Sequence, residues 1–151
     1  MRYRIRQITE GEEEVIVHYR RMTPEVKRIL DFLSREQIKL MGWKEQTKVV
    51  VKPEYILYIE SVEGKTFAYT KGEVIRLEYQ LSQLEQLLWE RHFFRCSKSM
   101  IVNIDKVESL KSLPSNRIDA VMCNGEHIII SRTYASEFRK RLKGGRDNGE
   151  T

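Results

Sequence analysis

The 151-residue chain lacks any long hydrophobic run. Its longest apolar stretches, such as residues 49–51 and 128–130, are far shorter than the ~20 residues that cross a bilayer. The N-terminus alternates charged and apolar residues and has no apolar block typical of a signal peptide. We therefore expect neither a membrane span nor secretion, and we expect a cytoplasmic location.

Residues that bind metals or form disulfides are also scarce. The chain has only Cys96 and Cys123, in no Cys-x-x-Cys pair, and its three histidines are scattered. Phosphate-binding loops, serine nucleophile elbows and zinc-protease motifs are absent from the sequence. A nucleophile–base pair of Cys96 and His127 is conceivable, but a buried thiol in a strand is the favoured interpretation. The sequence thus predicts no enzymatic activity, no metal and no cofactor.

What the chain does have is positive charge, concentrated near its C-terminal end. The formal net charge is +5, and residues 91–143 contain 11 Lys or Arg against 5 Asp or Glu. Such a concentration indicates a polyanionic partner, because Lys and Arg neutralise phosphates. A solvated basic face explains the charge equally well at this point.

The first 45 residues predict a small strand–strand–helix module. Residues 2–8 and 14–19 alternate as strands do, with a polar turn between them. Thr23 and Pro24 then form a helix start, followed by an apolar face that indicates a helix ending near Leu40, with Gly42 just beyond.

Residues 46–143 predict a mostly antiparallel β domain with short helices. Interrupted β-branched and aromatic segments predict strands at residues 48–52, 56–60, 66–70, 73–77, 93–96, 101–103, 107–113, 117–123 and 127–131. Helices are predicted at residues 80–90 and 133–143. Gly144 and Gly145 should end the last helix, which leaves 144–151 as a disordered tail.

Three polar loops carry the residues best suited to bind an anion. Ser97-Lys98-Ser99, flanked by Arg95, combines hydroxyl and cationic donors between two apolar strands. A hairpin tip that merely closes two strands is the alternative.

The second loop, Ser131-Arg132-Thr133-Tyr134, lies where the last strand meets the last helix. The exposed amides of a helix start favour anions there, although simple capping would use the same residues. The third loop, Glu63-Gly64-Lys65-Thr66, is a weaker candidate because Glu63 repels phosphate.

Three segments of the chain resemble a known family. In this order they are Ile56-x-x-Ile59-Glu60, Phe94-Arg95-Cys96-Ser97-Lys98-Ser99-Met100-Ile101-Val102-Asn103 and Ile129-Ile130-Ser131-Arg132-Thr133-Tyr134. Together they resemble the LytTR family of bacterial DNA-binding domains. The resemblance implies an α+β, mostly β fold of elongated, stacked antiparallel sheets, whose loops enter successive major grooves of promoter DNA. Carried over by position, it assigns these DNA-binding residues: Lys65, Arg95, Ser97, Lys98, Ser99, Arg132, Thr133 and Tyr134. Many members have His where this chain has Ser97.

The layout is similar to that of stand-alone LytTR regulators, which lack the receiver domain of response regulators. For such proteins the resemblance implies double-stranded promoter DNA as partner, a membrane-embedded inhibitor protein, and a homodimer on DNA. The sequence is therefore interpreted as a sequence-specific, non-enzymatic transcriptional regulator. The alternative is a protein-interaction module that docks an acidic partner or a membrane protein without reading DNA.

Overall fold

The computed structural model describes residues 1–34 and 38–146, which fall into two compact units, Met1–Gln37 and Ile38–Thr151. The first unit contains helix α1 (Pro24–Ser34). Thr23 caps the helix, because its Oγ1 accepts a hydrogen bond from the Val26 N–H at 3.2 Å. The predicted helix start is therefore confirmed.

The two N-terminal strands predicted at residues 2–8 and 14–19 are wrong, because residues 1–22 form neither strand nor helix. Their alternating apolar side chains remain in solvent, with Ile5 90% and Val15 72% exposed. An alternating segment becomes a strand only where a partner completes the hydrogen-bond ladder and covers one face. Neither is present among the described residues of the first unit.

The second unit is mostly β-structure. Its strands are β1 (Leu40–Lys44), β2 (Thr47–Val51), β3 (Tyr58–Val62), β4 (Lys65–Tyr69), β5 (Val74–Leu77), β6 (Phe93–Ser97), β7 (Met100–Asn103), β8 (Val107–Leu113), β9 (Arg117–Met122) and β10 (His127–Ile130). Its helices are α2 (Leu81–Leu87) and α3 (Arg132–Arg146). Short 3₁₀ turns lie at Pro53–Tyr55, Trp89–Arg91 and Ile104–Lys106.

The strands form two antiparallel sheets. The larger has seven strands in the order β2-β1-β5-β4-β3-β7-β6, and the smaller has the order β10-β9-β8. The prediction of a mostly β fold with antiparallel sheets and short helices is confirmed.

Strand β1 corrects the predicted helix end. The described part of α1 ends at Ser34, residues 35–37 lie outside the described residues, and Leu40 begins a strand. Gly42 is a β1 residue that pairs with Leu77, not a helix terminator. A Cβ at Gly42 would lie 2.6 Å from Ile75 Cγ2 and 2.8 Å from the Arg76 carbonyl oxygen, so only glycine fits this close approach.

The predicted end of the last helix is also wrong, since α3 continues through Gly144 and Gly145 to Arg146. Glycine only weakens a helix, by about 1 kcal/mol per residue, and buried Phe138 anchors the preceding turns of α3. The rest of the predicted disordered tail, residues 147–151, lies outside the described residues.

Two hydrophobic cores lie on opposite faces of the larger sheet. The first core joins Ile59 and Ile101 to Leu84 and Leu88 from the α2 region. The second core joins strands of both sheets to α3, and its members include Phe94, Val102, Ile130 and Phe138. Successive residues of β7, such as Ile101 and Val102, thus enter different cores. This packing on both faces holds the strand ends from which the polar loops emerge.

None of the described helices combines the length and apolar character needed to span a membrane.

Candidate nucleic-acid interface

The hairpin between β3 and β4 presents Lys65 at its tip. Val62 pairs with Lys65, and Glu63 and Gly64 between them have positive φ angles of 51° and 77°. Two central residues with positive φ are the feature of the type I′ turn, whose twist matches the flanking strands. We call residues 62–65 the Lys65 tip; the Lys65 side chain in it is exposed.

The loop between β6 and β7 presents Lys98. Ser97 pairs with Met100, and a bulge at Cys96 shifts the register just before the turn. The Ser99 N–H donates to Ser97 Oγ at 3.3 Å, which uses the first serine to fold the turn. We call residues 97–100 the Lys98 loop; in it, the side chains of Lys98 and Ser99 are exposed.

Arg95 holds the Lys98 loop from within. Its Nε donates to the Ser97 carbonyl oxygen at 2.9 Å, and its Nη2 donates to the Lys98 carbonyl oxygen. Its Nη1 lies 3.0 Å from Glu85 Oε2 of α2. The Arg95 side chain is only 20% exposed, so its guanidinium spans helix and loop, whereas Lys98 projects into solvent.

The junction between β10 and α3 presents Arg132 and Thr133. Both side chains are exposed in the first turn of the helix. Tyr134 differs from them, because its ring is half-buried against the second core and its N–H donates to the Ser131 carbonyl oxygen at 3.0 Å. We call residues 131–133 the Arg132 junction; the free amides of a helix start are donors for an anion there.

Two backbone hydrogen bonds join these three segments. The Ser61 N–H, next to the Lys65 tip, donates to the Ser99 carbonyl oxygen at 2.7 Å. The Ser131 N–H donates to the Cys96 carbonyl oxygen at 2.9 Å. The structure therefore brings the three predicted loops together at one end of the second unit.

The cations of the three segments are available to a ligand. Lys65, Lys98 and Arg132 are exposed, and none forms an ion pair or a side-chain hydrogen bond with another residue in the described ranges. Each segment thus contributes one such cation, an arrangement suited to a polyanion such as the DNA backbone.

The geometry separates Cys96 from His127. Burial raises the pKa of the Cys96 thiol to about 12, and its Sγ lies 3.5 Å from the Met100 carbonyl oxygen. His127 is exposed, and its Nδ1 lies 2.9 Å from an Asp119 carboxylate oxygen. No group of three His, Cys, Asp or Glu side chains within residues 1–34 and 38–146 is arranged to hold a metal ion.

Sequence reasoning missed two supporting residues, Glu85 and Ser61. Glu85 pairs with Arg95 across ten residues of sequence, and Ser61 acts through its backbone N–H. Neither contact follows a local spacing rule, and no signal in the sequence marks either residue.

A family model and several curated relatives match the chain. A family model described as "LytTr DNA-binding domain" matches residues 46–143. The chain is 31% identical to the sensory transduction protein LytT of Bacillus anthracis over 111 residues, which cover 74% of this chain and 45% of that protein. It is 24% identical over 135 residues to an uncharacterized HTH-type transcriptional regulator of Staphylococcus aureus, covering 88% of this chain and 91% of that one.

A solved LytTr DNA-binding domain from Bacillus cereus is similar in structure. Its TM-score is 0.65 at 28% identity, and the match covers 69% of this chain and 95% of that domain. The chain spans less than half the length of its LytT relatives from Bacillus anthracis and Bacillus cereus, at 45% and 40%.

Proposed function

Because the chain belongs to the LytTR family of DNA-binding domains, we propose that it regulates transcription by binding promoter DNA sequence-specifically. The Lys65 tip, the Lys98 loop and the Arg132 junction form the proposed interface. The observation that carries this proposal is that two backbone hydrogen bonds hold the three segments together, and that each segment exposes one cation.

The predicted site residues take different roles in this proposal. Lys65, Lys98 and Arg132 contact phosphates or base edges, and the Ser99 and Thr133 hydroxyls donate to the backbone of the duplex. Arg95 and Ser97 shape the Lys98 loop, since their polar groups already bind it. Tyr134 positions the helix start through its packing.

Titration of single variants against DNA tests the interface. Lys98→Ala and Arg132→Ala should each weaken binding to the DNA upstream of the protein's own gene by about 1–3 kcal/mol if the side chain reads a base. Lys111→Ala removes an exposed cation of β8, outside the three segments, and serves as the matched control. Wild-type affinity in both test variants, measured by gel shift, would remove these segments from the interface.

Salt dependence tests the phosphate contacts separately. Affinity should fall steeply as salt rises, because binding releases counterions from DNA, and Lys98→Ala should reduce the slope. An unrelated duplex should bind more weakly than the upstream region at every salt concentration. Equal binding of both duplexes would leave only non-specific affinity, and no shift of either would favour the protein-interaction alternative.

We propose that the protein acts by binding alone, without catalysis, and that it acts in the bacterial cytoplasm where promoter DNA lies. We also propose that two copies bind DNA as a homodimer and that a membrane-embedded protein inhibits them. Sedimentation of the chain on a duplex with one or two half-sites tests the dimer, and co-purification from detergent-solubilised membranes tests the inhibitor.

A further inference from the structure

Strand β2 forms an edge of the seven-stranded sheet, and its pairing partner is β1. The opposite edge strand, β6, accepts the hydrogen bond from Ser131. The β1–β2 hairpin is closed by the pair Lys44–Thr47. Because the closing pair of such a hairpin is hydrogen-bonded and pairs alternate from there, the amides of Lys48 and Val50 point away from β1. The edge of β2 can therefore accept another strand.

An open groove of about 690 Å³ adjoins β2. Its floor includes the buried side chains of Val51, Leu57 and Ile75. Val50 and Tyr55 line it and are 54% and 63% exposed. In an added strand whose acidic side chains face Lys52, the alternating apolar side chains would lie on the face of Val51. We call this region the β2 groove.

The β2 groove is rich in positive charge. Lys52, Lys71 and Lys106 line it, and none of them forms an ion pair with another residue of the described ranges. The acidic residue of the lining, Glu73, is neutralised by Lys44, with Oε1 and Nζ 2.5 Å apart. The groove therefore complements an acidic ligand.

The charge pattern on β2 disfavours a second copy of the chain. In an antiparallel pair of β2 strands centred on Val50, Lys48 of each copy would lie directly opposite Lys52 of the other. Like charges placed directly opposite destabilise a strand pair, and lysine on an edge strand commonly prevents self-association. An acidic strand in the same place would gain a favourable cross-strand pair at Lys52, whereas Lys48 already lies 3.9 Å from Glu78 Oε2.

We propose that β2 and the β2 groove bind an extended acidic segment of a partner protein by strand addition. Main-chain hydrogen bonds to Lys48 and Val50 supply affinity, and the lysines select acidic side chains.

A probe peptide tests this proposal on the full chain. The probe is a synthetic peptide of about nine residues that alternates glutamate and valine, and its control alternates lysine and valine. Fluorescence anisotropy at low salt should detect binding of the glutamate peptide and not of the lysine peptide. No binding of the glutamate peptide, or equal binding of both, would overturn the proposal.

Variants of β2 locate the binding. Val50→Pro removes an amide N–H that the β1–β2 ladder does not use, and it should weaken binding of the glutamate peptide about tenfold. Val50→Thr keeps the amide and should bind like the wild type. The thermal unfolding midpoint checks that both variants fold. Unchanged affinity in a folded Val50→Pro protein would contradict strand addition.

A charge-reversal variant keeps the test decisive if proline disrupts the hairpin. Lys52 and Lys71 are exposed, so Lys52→Glu combined with Lys71→Glu leaves both cores intact. This variant should also weaken binding of the glutamate peptide about tenfold, because two lysine–glutamate attractions become glutamate–glutamate repulsions. Undiminished binding, or concentration-dependent self-association of the wild type that the peptide displaces, would overturn the proposal.

Discussion

Two neighbouring turns at the same end of the second unit are held in shape by different means. The Lys65 tip is a two-residue turn whose conformation lies in its backbone, with Glu63 and Gly64 both at positive φ. The Lys98 loop follows a bulge and is held by the Arg95 guanidinium, which binds two of its carbonyl oxygens and Glu85 of α2.

The difference shows where each turn is vulnerable. The shape of the Lys65 tip depends on the freedom of Gly64 to adopt a positive φ, so truncation of a neighbouring side chain should leave the turn intact. The Lys98 loop depends on one planar side chain that reaches two elements, so its shape can be lost without any change in the loop itself. Substitutions that change either the backbone conformation of the Lys65 tip or the Arg95 contacts of the Lys98 loop distinguish these two ways of holding a turn.

Arg95→Ala should have the largest effect. Loss of three hydrogen bonds, one to a carboxylate, should lower the free energy of unfolding by about 1–3 kcal/mol. It should also weaken DNA binding at least tenfold, roughly 1.4 kcal/mol, because the Lys98 loop loses its shape. Urea unfolding and gel-shift titration measure the two effects.

Two further variants sharpen the test of Arg95. Arg95→Lys should not restore affinity, since an ammonium group cannot reproduce the fork. Arg117→Ala is the control, because Arg117 Nε binds the Pro114 carbonyl oxygen in a different hairpin loop. Full DNA affinity in Arg95→Ala would contradict the positioning role.

Gly64→Val should have the next largest effect, and mainly on stability. A valine at φ +77° is strained although the space around it is open, and we expect a loss of about 1–2 kcal/mol in unfolding free energy. Gly72→Val is the matched control, because the space there is also open but no positive φ is required. Equal losses in both variants, by urea unfolding, would mean that the turn geometry is not the cause.

Ser97→Ala should have a smaller effect on the Lys98 loop. It removes the acceptor for the Ser99 N–H, which is exposed and can bind water instead, so we expect a loss of about 0.5–1 kcal/mol. DNA affinity should fall by a few fold at most. Ser112→Ala on the exposed face of β8 is the control. A loss as large as that of Arg95→Ala would assign the loop's shape to the serine.

The smallest effect concerns the reactivity of Cys96, next to the bulge of the Lys98 loop. Burial raises its pKa to about 12, so little thiolate exists below that pH, and half-buried Cys123 should be alkylated first. Arg95→Ala should speed alkylation of Cys96 by loosening the loop, whereas Gly64→Val should not. Mass spectrometry after iodoacetamide treatment at several pH values measures both rates. The Arg95 cation also lowers the Cys96 pKa, so its loss by itself slows alkylation. Equal Cys96 rates in all three proteins would contradict a loosening large enough to exceed that effect.

Much of the fold could be predicted from the sequence, because side-chain alternation and turn residues mark most strands of the second unit. Strand β1 was missed because Gly42 was interpreted as a helix terminator. Position 42 requires glycine because Ile75 and Arg76, on a strand more than thirty residues away, approach it closely. The segments at residues 2–8 and 14–19 show the opposite error. Their alternation is real, but no partner among residues 1–34 pairs with it.

The candidate site could be located by residue type but not explained by it. Hydroxyl and cationic side chains between apolar strands indicated the three loops, and the structure brings these loops together. The sequence could not predict that Arg95 holds the loop while Lys98 stays exposed, because this depends on which of the two cations is near Glu85 of α2. Whether the exposed cations contact DNA remains a prediction, which the titrations above test.

The main-chain bonds from Ser61 to Ser99 and from Ser131 to Cys96 have a consequence for the DNA itself. They fix the spacing of the three segments when the protein folds, so little conformational entropy is lost when a duplex arrives. If these three segments bind DNA as proposed, their fixed spacing should make binding sensitive to the helical phase of the target. One base pair inserted between two contacted stretches moves the second by about 3.4 Å and rotates it by about 35° around the axis. A rigid set of loops cannot follow that movement, so the spacing within a target should matter as much as its bases.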